Sequence, residues 1–145
     1  MKRLKSPDRV RRTVLLVDDH PSIRLMLCAA LTAQDFNVLT AGCGAQALKI
    51  CRDYPGRIDV LLSGVGVRSR ERENATQLPS IENGAIVMNH AIALRPSLKV
   101  VFFSGHSDKH LAALGVTDQS WPILRKPCDL RSLLKALSVA LHAAA

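Results

Sequence analysis

The chain has 145 residues, which is enough for one ordinary domain and too few for two full ones. Hydrophobic residues make up 48% of it and charged residues 22%, so a buried core is readily supplied and wholesale disorder is excluded. The formal net charge of +8 would normally raise nucleic acid, an acidic membrane or an acidic protein as a partner.

Short apolar runs alternate with helical patterns along the chain. The runs at 13–17, 37–41, 59–63, 99–103 and 121–124 are predicted strands, and their continuous apolar character favours strands covered on both faces. Helical patterns follow at 21–31, 46–54, 84–94, about 108–114 and 130–141, and Asp129 is the predicted N-cap of the last one. The alternation predicts an α/β fold with a doubly wound, five-stranded parallel sheet and helices on both faces.

A polar stretch interrupts this alternation after the third strand. The segment Arg68–Asn74 lacks apolar periodicity, so we predict a long exposed loop over residues 65–83.

Chemistry-bearing residues follow the predicted strands. Asp18 and Asp19 come after the first strand, Gly64 after the third, Ser104 after the fourth and Lys126 after the fifth. Because sites in such sheets form at the carboxyl ends of the strands, these positions are expected to converge. Carboxylate oxygens suit Mg²⁺, and a hydroxyl and an ammonium bind phosphoryl oxygens. The pattern therefore predicts a pocket for a metal ion and a phosphoryl group.

At these residues the sequence resembles the receiver domain of two-component response regulators. The likeness covers roughly 13–141 and rests on the acid pair after Val14–Val17, on Ser104–Asp108 and on Leu124–Pro127. The later stretches look most like receivers attached to hybrid histidine kinases. The resemblance implies a flavodoxin-like fold with strand order 2-1-3-4-5.

The resemblance also implies roles for single residues. In that family the acid pair holds Mg²⁺, an Asp ending the third strand accepts the phosphoryl group, and a Ser/Thr and a Lys read it. Carried over, Asp18 and Asp19 are the metal candidates, and Ser104 and Lys126 are the switch residues. The acceptor does not carry over, because its position is Gly64, which has no side chain to phosphorylate.

Other residues of the third strand are poor substitutes for the acceptor. Asp59 lies five residues from Gly64, on the order of 16 Å away at the opposite edge of the sheet, and is expected to be a strand-entry residue. The two-residue period of a strand points Ser63 to the other face, and a hydroxyl would need an activating base.

Three further features concern the switch and the metal. The switch aromatic of the family is Ile123 here, which cannot perform the usual ring rotation. Without the acceptor carboxylate, we expect Mg²⁺ to bind weakly or not at all, and one hypothesis pairs Lys126 directly with Asp18 or Asp19. We interpret His20 as a polar helix-start residue rather than a metal ligand.

The remaining features concern location and partners. The basic charge lies mainly in residues 1–12, which we interpret as a flexible leader preceding a receiver domain over 13–145. The four cysteines form no C-x-x-C pair, and the chain has neither a signal-peptide core nor an apolar run of about 20 residues. These features favour a cytoplasmic location without membrane contact.

We therefore expect a stand-alone pseudo-receiver that is not an enzyme. It would act by protein–protein contact with a histidine kinase or another two-component protein, and self-association as a homodimer is left open. In the family the partner-facing surface corresponds to about 108–114, 123–124 and 130–141. Two alternatives are kept: a phosphorelay receiver with a non-standard acceptor, and a nucleic-acid-binding module using the leader, although nucleic acid is the disfavoured partner.

Overall fold

The structure is a computed structural model that describes residues 11–64, 84–104, 123–125 and 129–142. The strands in these ranges are β1 (Thr13–Val17), β2 (Asn37–Ala41), β3 (Val60–Gly64), β4 (Lys99–Ser104) and β5 (Ile123–Arg125). The helices are α1 (Pro21–Ala33), α2 (Gly44–Asp53), α3 (Gly84–Leu94) and, numbered here as α4, Leu130–His142.

The strands form one parallel sheet in the order β2-β1-β3-β4-β5. The parallel α/β architecture agrees with the sequence prediction, and the order is the one that the family resemblance implies. Each crossover returns the chain to the same edge of the sheet, as parallel pairing requires. The carboxyl ends of the strands therefore meet at one edge, and their amino ends meet at the other.

The two faces of the sheet carry separate cores. Leu15 and Leu61 pack on one face with residues of α2 and α3, and Leu16 and Leu62 pack on the other with residues of α1 and α4. Every residue of β1 is buried, because both faces of this central strand are covered. This is why the strand reads as a continuous apolar run instead of an alternating one.

The predicted boundaries need small corrections. Helix α2 begins at Gly44, two residues before the predicted start at Gln46. A helix can begin at this glycine because the N–H groups of a first turn need no partner within the helix. The side chain of Gln46 accepts a 2.7 Å hydrogen bond from the Gly42 N–H, which fixes this start. Strand β3 runs over 60–64 instead of 59–63, β4 extends to Ser104, and β5 extends to Arg125.

Several predictions fall outside the described residues. These are the loop at 65–83, the helix at 108–114, Lys126, and residues 1–10 of the leader. The last two residues assigned to the leader are described, and both contact the domain. Arg11 forms an ion pair with Asp35 at 3.3 Å, and Arg12 forms one with Asp59 at 3.4 Å.

The cysteines in the described ranges are free thiols. Cys28 and Cys43 are half-buried, and Cys51 is buried in the core between α2 and the sheet. Burial raises the pKa of the Cys51 thiol, an effect that the nearby positive charge of Arg95 opposes. Across the described ranges, no helix combines the length and the apolar content needed to cross a membrane.

Candidate functional site

The acid pair lies where β1 ends. The backbone N–H of Asp18 donates a 3.1 Å hydrogen bond to the carbonyl of Ala41, the last residue of β2. This bond extends the pairing of β1 with β2 by one residue, to Asp18. The side chain of Asp18 is buried, with only 4% of it exposed. The side chain of Asp19 is 25% exposed. The pair thus combines one buried and one partly accessible carboxylate.

The strand register brings the other predicted positions to the same edge of the sheet. Val17 lies opposite Ser63, so Asp18 and Gly64 are the next positions along two adjacent strands. Gly64 lies opposite Phe103, and Ser104 lies opposite Arg125. Gly64 therefore ends the central strand beside the acid pair, which is the place where the sequence predicts it.

Three predicted switch residues are less fully described. Ser104 and Ile123 are placed by their backbones at the end of β4 and the start of β5, whereas their side chains lie outside the description. Lys126 is outside the described residues, so the proposed pairing of Lys126 with the acid pair stays a prediction.

His20 joins the acid pair through its ring. Its Nδ1 lies 3.0 Å from Asp19 Oδ1 and 3.2 Å from Asp18 Oδ1. Its backbone N–H donates a 2.8 Å hydrogen bond to the same oxygen of Asp18. His20 is the N-cap residue of α1, as its helix-start interpretation requires, but its side chain makes no capping bond to the helix. The sequence therefore predicts the position of His20 but not the contacts of its ring.

Arg24 is a second residue whose contact with the acid pair the sequence does not predict. It lies one turn into α1, and its Nη1 donates a 2.7 Å hydrogen bond to the backbone carbonyl of Asp18. Its own N–H donates to the carbonyl of His20 at 3.0 Å. Arg24 thus fixes the backbone of the acid pair against α1. The four-residue spacing from His20 was the only signal in the sequence, and it does not distinguish this role from ordinary helix propagation.

Asp59 lies at the opposite edge of the sheet. Its Oδ2 accepts a 2.8 Å hydrogen bond from the Thr13 N–H, and its Oδ1 lies 2.9 Å from Arg57 Nε. The prediction that Asp59 is a strand-entry residue is confirmed. A carboxylate held there cannot take part in chemistry at the acid pair.

The arrangement at the carboxyl edge is suited to binding a cation. Among the described residues, Asp18, Asp19 and His20 are the one group of three candidate metal ligands, with one ligand atom from each lying within 4.8 Å of the others. The buried carboxylate supplies negative charge in a partly desolvated position, where its attraction to a cation is screened less by water.

Comparisons with solved structures identify the fold. A response regulator receiver protein from Sinorhizobium medicae WSM419 is 28% identical, with a TM-score of 0.72, over 92% of this chain and 96% of that chain. The receiver domain of the hybrid histidine kinase CckA is 27% identical, with a TM-score of 0.65, over 90% of this chain and 99% of that chain. Both alignments cover nearly the whole of a receiver domain.

Curated proteins give a consistent result at similar identity. The sensor kinase CckA of Brucella abortus (strain 2308) is 27% identical over 121 residues, which is 83% of this chain and 12% of that protein. The transcriptional regulatory protein GlrR of Escherichia coli (strain K12) is 25% identical over 132 residues, 91% of this chain and 27% of that protein. This chain therefore spans only a minor part of the length of these relatives.

No protein-family model matches the chain. The sheet order, the acid pair after β1 and the similarity to receiver domains of about the same extent nevertheless agree with one another. The chain has the flavodoxin-like fold of CheY-like receiver domains, and it is similar to the receiver domains of two-component response regulators.

Proposed function

We propose that this receiver domain is a pseudo-receiver, which transmits signals through protein–protein contact without being phosphorylated at the usual position. The observation that carries the proposal is the place of Gly64. It ends β3, the central strand, next to Asp18 in register and opposite Phe103 of β4. An aspartyl phosphate requires a carboxylate, and glycine offers no side chain at this point.

Neighbouring side chains do not supply a replacement. Ser63 is 1% exposed, and its alternation along β3 places it on the face of Leu61, away from the face of Leu62 and Gly64. Asp59 is bound at the amino edge of the sheet by Thr13, Arg12 and Arg57. The alternative of a non-standard acceptor therefore has no candidate within β3.

The partner of such a domain would be another two-component protein. Support comes from the similarity of this chain to a receiver within a sensor kinase and to part of a transcriptional regulatory protein. Within the described part of the family's partner-facing surface, α4 offers Val139, which is 56% exposed, and Leu130, which is 39% exposed. A histidine kinase or a related signalling protein that contacts this helix would require no catalysis by the receiver itself.

Phosphorylation with a small phosphodonor tests the proposal. The full chain is incubated with acetyl phosphate and Mg²⁺, and its intact mass is measured. We expect no acid-labile phosphoryl adduct on the native chain, because the acceptor carboxylate is missing. The same measurement after incubation with a histidine kinase covers donors that act only through a protein complex. An acid-labile phosphoryl adduct on the native chain in either experiment would contradict the proposal.

The substitution Gly64→Asp provides the positive arm of the experiment. It places a carboxylate at the end of β3 beside the acid pair, so we expect an acid-labile adduct to form. Gly64→Asn is the matched control, because it adds a side chain of nearly the same size and shape without an acceptor carboxylate. An adduct on the Asp variant alone would assign the loss of phosphorylation in the native chain to this single position.

A further inference from the structure

We propose that a second copy of this chain binds along the outer side of β2, so that the two sheets join through antiparallel pairing of β2 with its counterpart. In the order β2-β1-β3-β4-β5, β2 is an edge strand, and only one of its sides pairs with β1. A groove of about 470 Å³ lies between β2 and α2. The inference concerns a surface other than the acid pair and α4, and it does not depend on the proposed function.

The hydrogen bonds between β2 and β1 define which backbone groups of β2 face outward. The Asn37 N–H donates a 2.9 Å bond to the residue before β1, and the Ala41 carbonyl accepts a 3.1 Å bond from the residue after β1. Because these directions alternate along a strand, Val38 and Thr40 direct their N–H and C=O groups to the outer side of β2. The edge therefore offers two donors and two acceptors to another strand.

The strand lacks the residues that usually prevent such pairing. Edge strands are commonly protected by charged side chains, by proline or by a bulge. The strand Asn37–Ala41 contains no charged residue and no proline, and it pairs with β1 in one unbroken register over its whole length. A two-fold axis at Leu39 would pair Val38 of each copy with Thr40 of the other, and each of these pairs exchanges two hydrogen bonds.

The groove beside this edge adds an apolar contact. Leu39, Ile50 and Tyr54 line the groove and pack against the core between α2 and the sheet. The Tyr54 hydroxyl accepts a 3.2 Å hydrogen bond from Asn37 Nδ2, which ties the end of α2 to the start of β2. In the two-fold arrangement, the Leu39 side chains of the two copies form a non-hydrogen-bonded pair, in which opposite side chains are closest. The pairing therefore buries apolar side chains as well as backbone groups.

Two exposed charges of α2 make the groove complementary to a second copy of itself. Lys49 and Asp53 line the groove four residues apart, so they share one face of the helix. Because Tyr54 contacts the start of β2, α2 runs antiparallel to β2, and the middle of the strand lies level with the middle of this pair. The two-fold axis then brings Lys49 of each copy toward Asp53 of the other, as an isologous interface requires.

The ion pair that Asp53 forms within the chain leaves this contact available. Asp53 Oδ1 lies 3.2 Å from Arg52 Nε, and both side chains are more than half exposed. Ion pairs so open to water contribute little, so the carboxylate can exchange this partner for a lysine of the second copy at small cost. This complementarity of charge favours a second copy over an unrelated extended peptide as the occupant of the groove.

Sedimentation equilibrium of the full chain over a range of concentrations tests the interface, and we expect a reversible dimer. The test variant is Thr40→Pro, which removes an outward N–H and no bond to β1, a position at which edge strands tolerate proline. It should weaken dimerisation at least about tenfold, because both copies lose a donor. Thr40→Val is the matched control, since it keeps the N–H and the β-branched shape and should dimerise like the native chain. Circular dichroism checks that both variants fold.

Charge reversal tests the two-fold arrangement itself. Lys49→Glu alone or Asp53→Lys alone places like charges opposite each other at two symmetry-related contacts, so each should weaken the dimer about tenfold. An equimolar mixture of the two variants should dimerise again, because every contact then joins opposite charges. Val139→Gln changes an exposed apolar residue of α4 and should leave dimerisation as in the native chain.

Amide hydrogen exchange gives the register of the pairing. The amides of Val38 and Thr40 should gain protection as the concentration rises through the dimerisation range, whereas the amide of Leu39, which is directed toward β1, should be protected at every concentration.

Four outcomes would overturn the inference. They are a chain that stays monomeric up to about 1 mM, a dimer that Thr40→Pro does not weaken, a dimer that Val139→Gln abolishes, and a mixture of the charge variants that stays monomeric. Failure of the proposed function is seen separately, as a phosphoryl adduct on the native chain, because sedimentation involves no phosphodonor.

Discussion

Asp59 and Thr13 are joined by a pair of hydrogen bonds at the amino edge of the sheet. The Thr13 N–H donates to the Asp59 carboxylate at 2.8 Å, and the Asp59 N–H donates to the Thr13 carbonyl at 2.9 Å. The Asp59 carbonyl in turn accepts a 3.1 Å bond from the Lys99 N–H. One residue therefore aligns the first positions of β1, β3 and β4, the three central strands.

Removing this carboxylate should destabilise the domain. Asp59→Ala leaves the buried N–H of Thr13 without its carboxylate acceptor and separates Arg12 and Arg57 from their common partner, so we expect a loss of about 2 kcal/mol in unfolding free energy. Asp59→Asn is the control, since it keeps an oxygen acceptor and should lose less. Urea denaturation measures both variants. A change below about 0.5 kcal/mol for Asp59→Ala, which is typical of an ordinary surface substitution, would contradict the prediction.

Arg95 should be important for the connection between α2 and β3. Its guanidinium donates to the carbonyls of Cys51 at 2.8 Å and Gly56 at 2.7 Å, and also to that of Tyr54. These acceptors lie in the last turn of α2 and the turn after it. We expect Arg95→Ala to lower the unfolding free energy by about 2 kcal/mol, because bonds to a charged donor contribute more than neutral ones.

Lysine at position 95 provides the matched control for this effect. It keeps the positive charge but lacks the planar fork that reaches several acceptors at once, so Arg95→Lys should recover only part of the stability. Hydrogen exchange of the amides at 52–58 should be faster in both variants than in the native chain. Full recovery by lysine would mean that charge alone, rather than fork geometry, stabilises this turn.

The backbone conformation at the end of α1 predicts an unusual order of stability among variants at Asp35. Its φ of 70° is left-handed, and the Asp35 and Phe36 N–H groups donate back to Thr32 and Leu31 at 3.1 Å, as in a Schellman motif. Both Asp35→Gly and Asp35→Ala lose the ion pair with Arg11, so comparing them isolates the backbone effect. We expect the Gly variant to be more stable than the Ala variant by about 1 kcal/mol in thermal unfolding. Equal stability would contradict the left-handed conformation.

Helix α4 should loosen at acidic pH. Hydrogen bonds from Ser132, including a 2.8 Å bond from its N–H, lower the pKa of the Asp129 carboxyl, which confirms Asp129 as the N-cap. A carboxyl with a lowered folded pKa contributes its stability above the unfolded pKa and loses it as the pH falls through the folded pKa. The protection factors of the amides in the first turn of α4, which correct for the slower intrinsic exchange at low pH, should therefore fall below about pH 4. Asp129→Asn should remove this pH dependence while keeping a cap.

The sequence predicts the sheet well because its strands are buried on both faces. Uninterrupted apolar runs such as Val14–Val17 are typical of such strands, and the polar residue after each run marks its carboxyl end. The start of α2 was harder to predict, because glycine usually breaks a helix, whereas Gly44 occupies a first turn fixed by Gln46. Helix propensity alone does not predict this contact between the Gln46 side chain and the Gly42 N–H.

The sequence also predicts which residues lie at the strand ends of the candidate site. Asp18, Asp19 and Gly64 follow from strand ends, since a parallel sheet brings those ends together. The contacts of the His20 ring with the acid pair depend on the turn between β1 and α1. There the Asp18 carboxylate accepts a hydrogen bond from the His20 N–H, which places the ring beside the acid pair. That geometry is set by local hydrogen bonds that residue spacing does not encode.

The length of β1 keeps the two ends of the sheet far enough apart for substitutions at each end to act independently on stability. Asp59 is anchored at Thr13 and the acid pair follows Val17, a step of about 16 Å along an extended strand. Sites more than about 10 Å apart without shared partners usually have additive effects on stability. Substitutions at the amino edge can thus change the stability of the fold without altering the acid pair at the carboxyl edge, and the two ends of the sheet are free to vary independently.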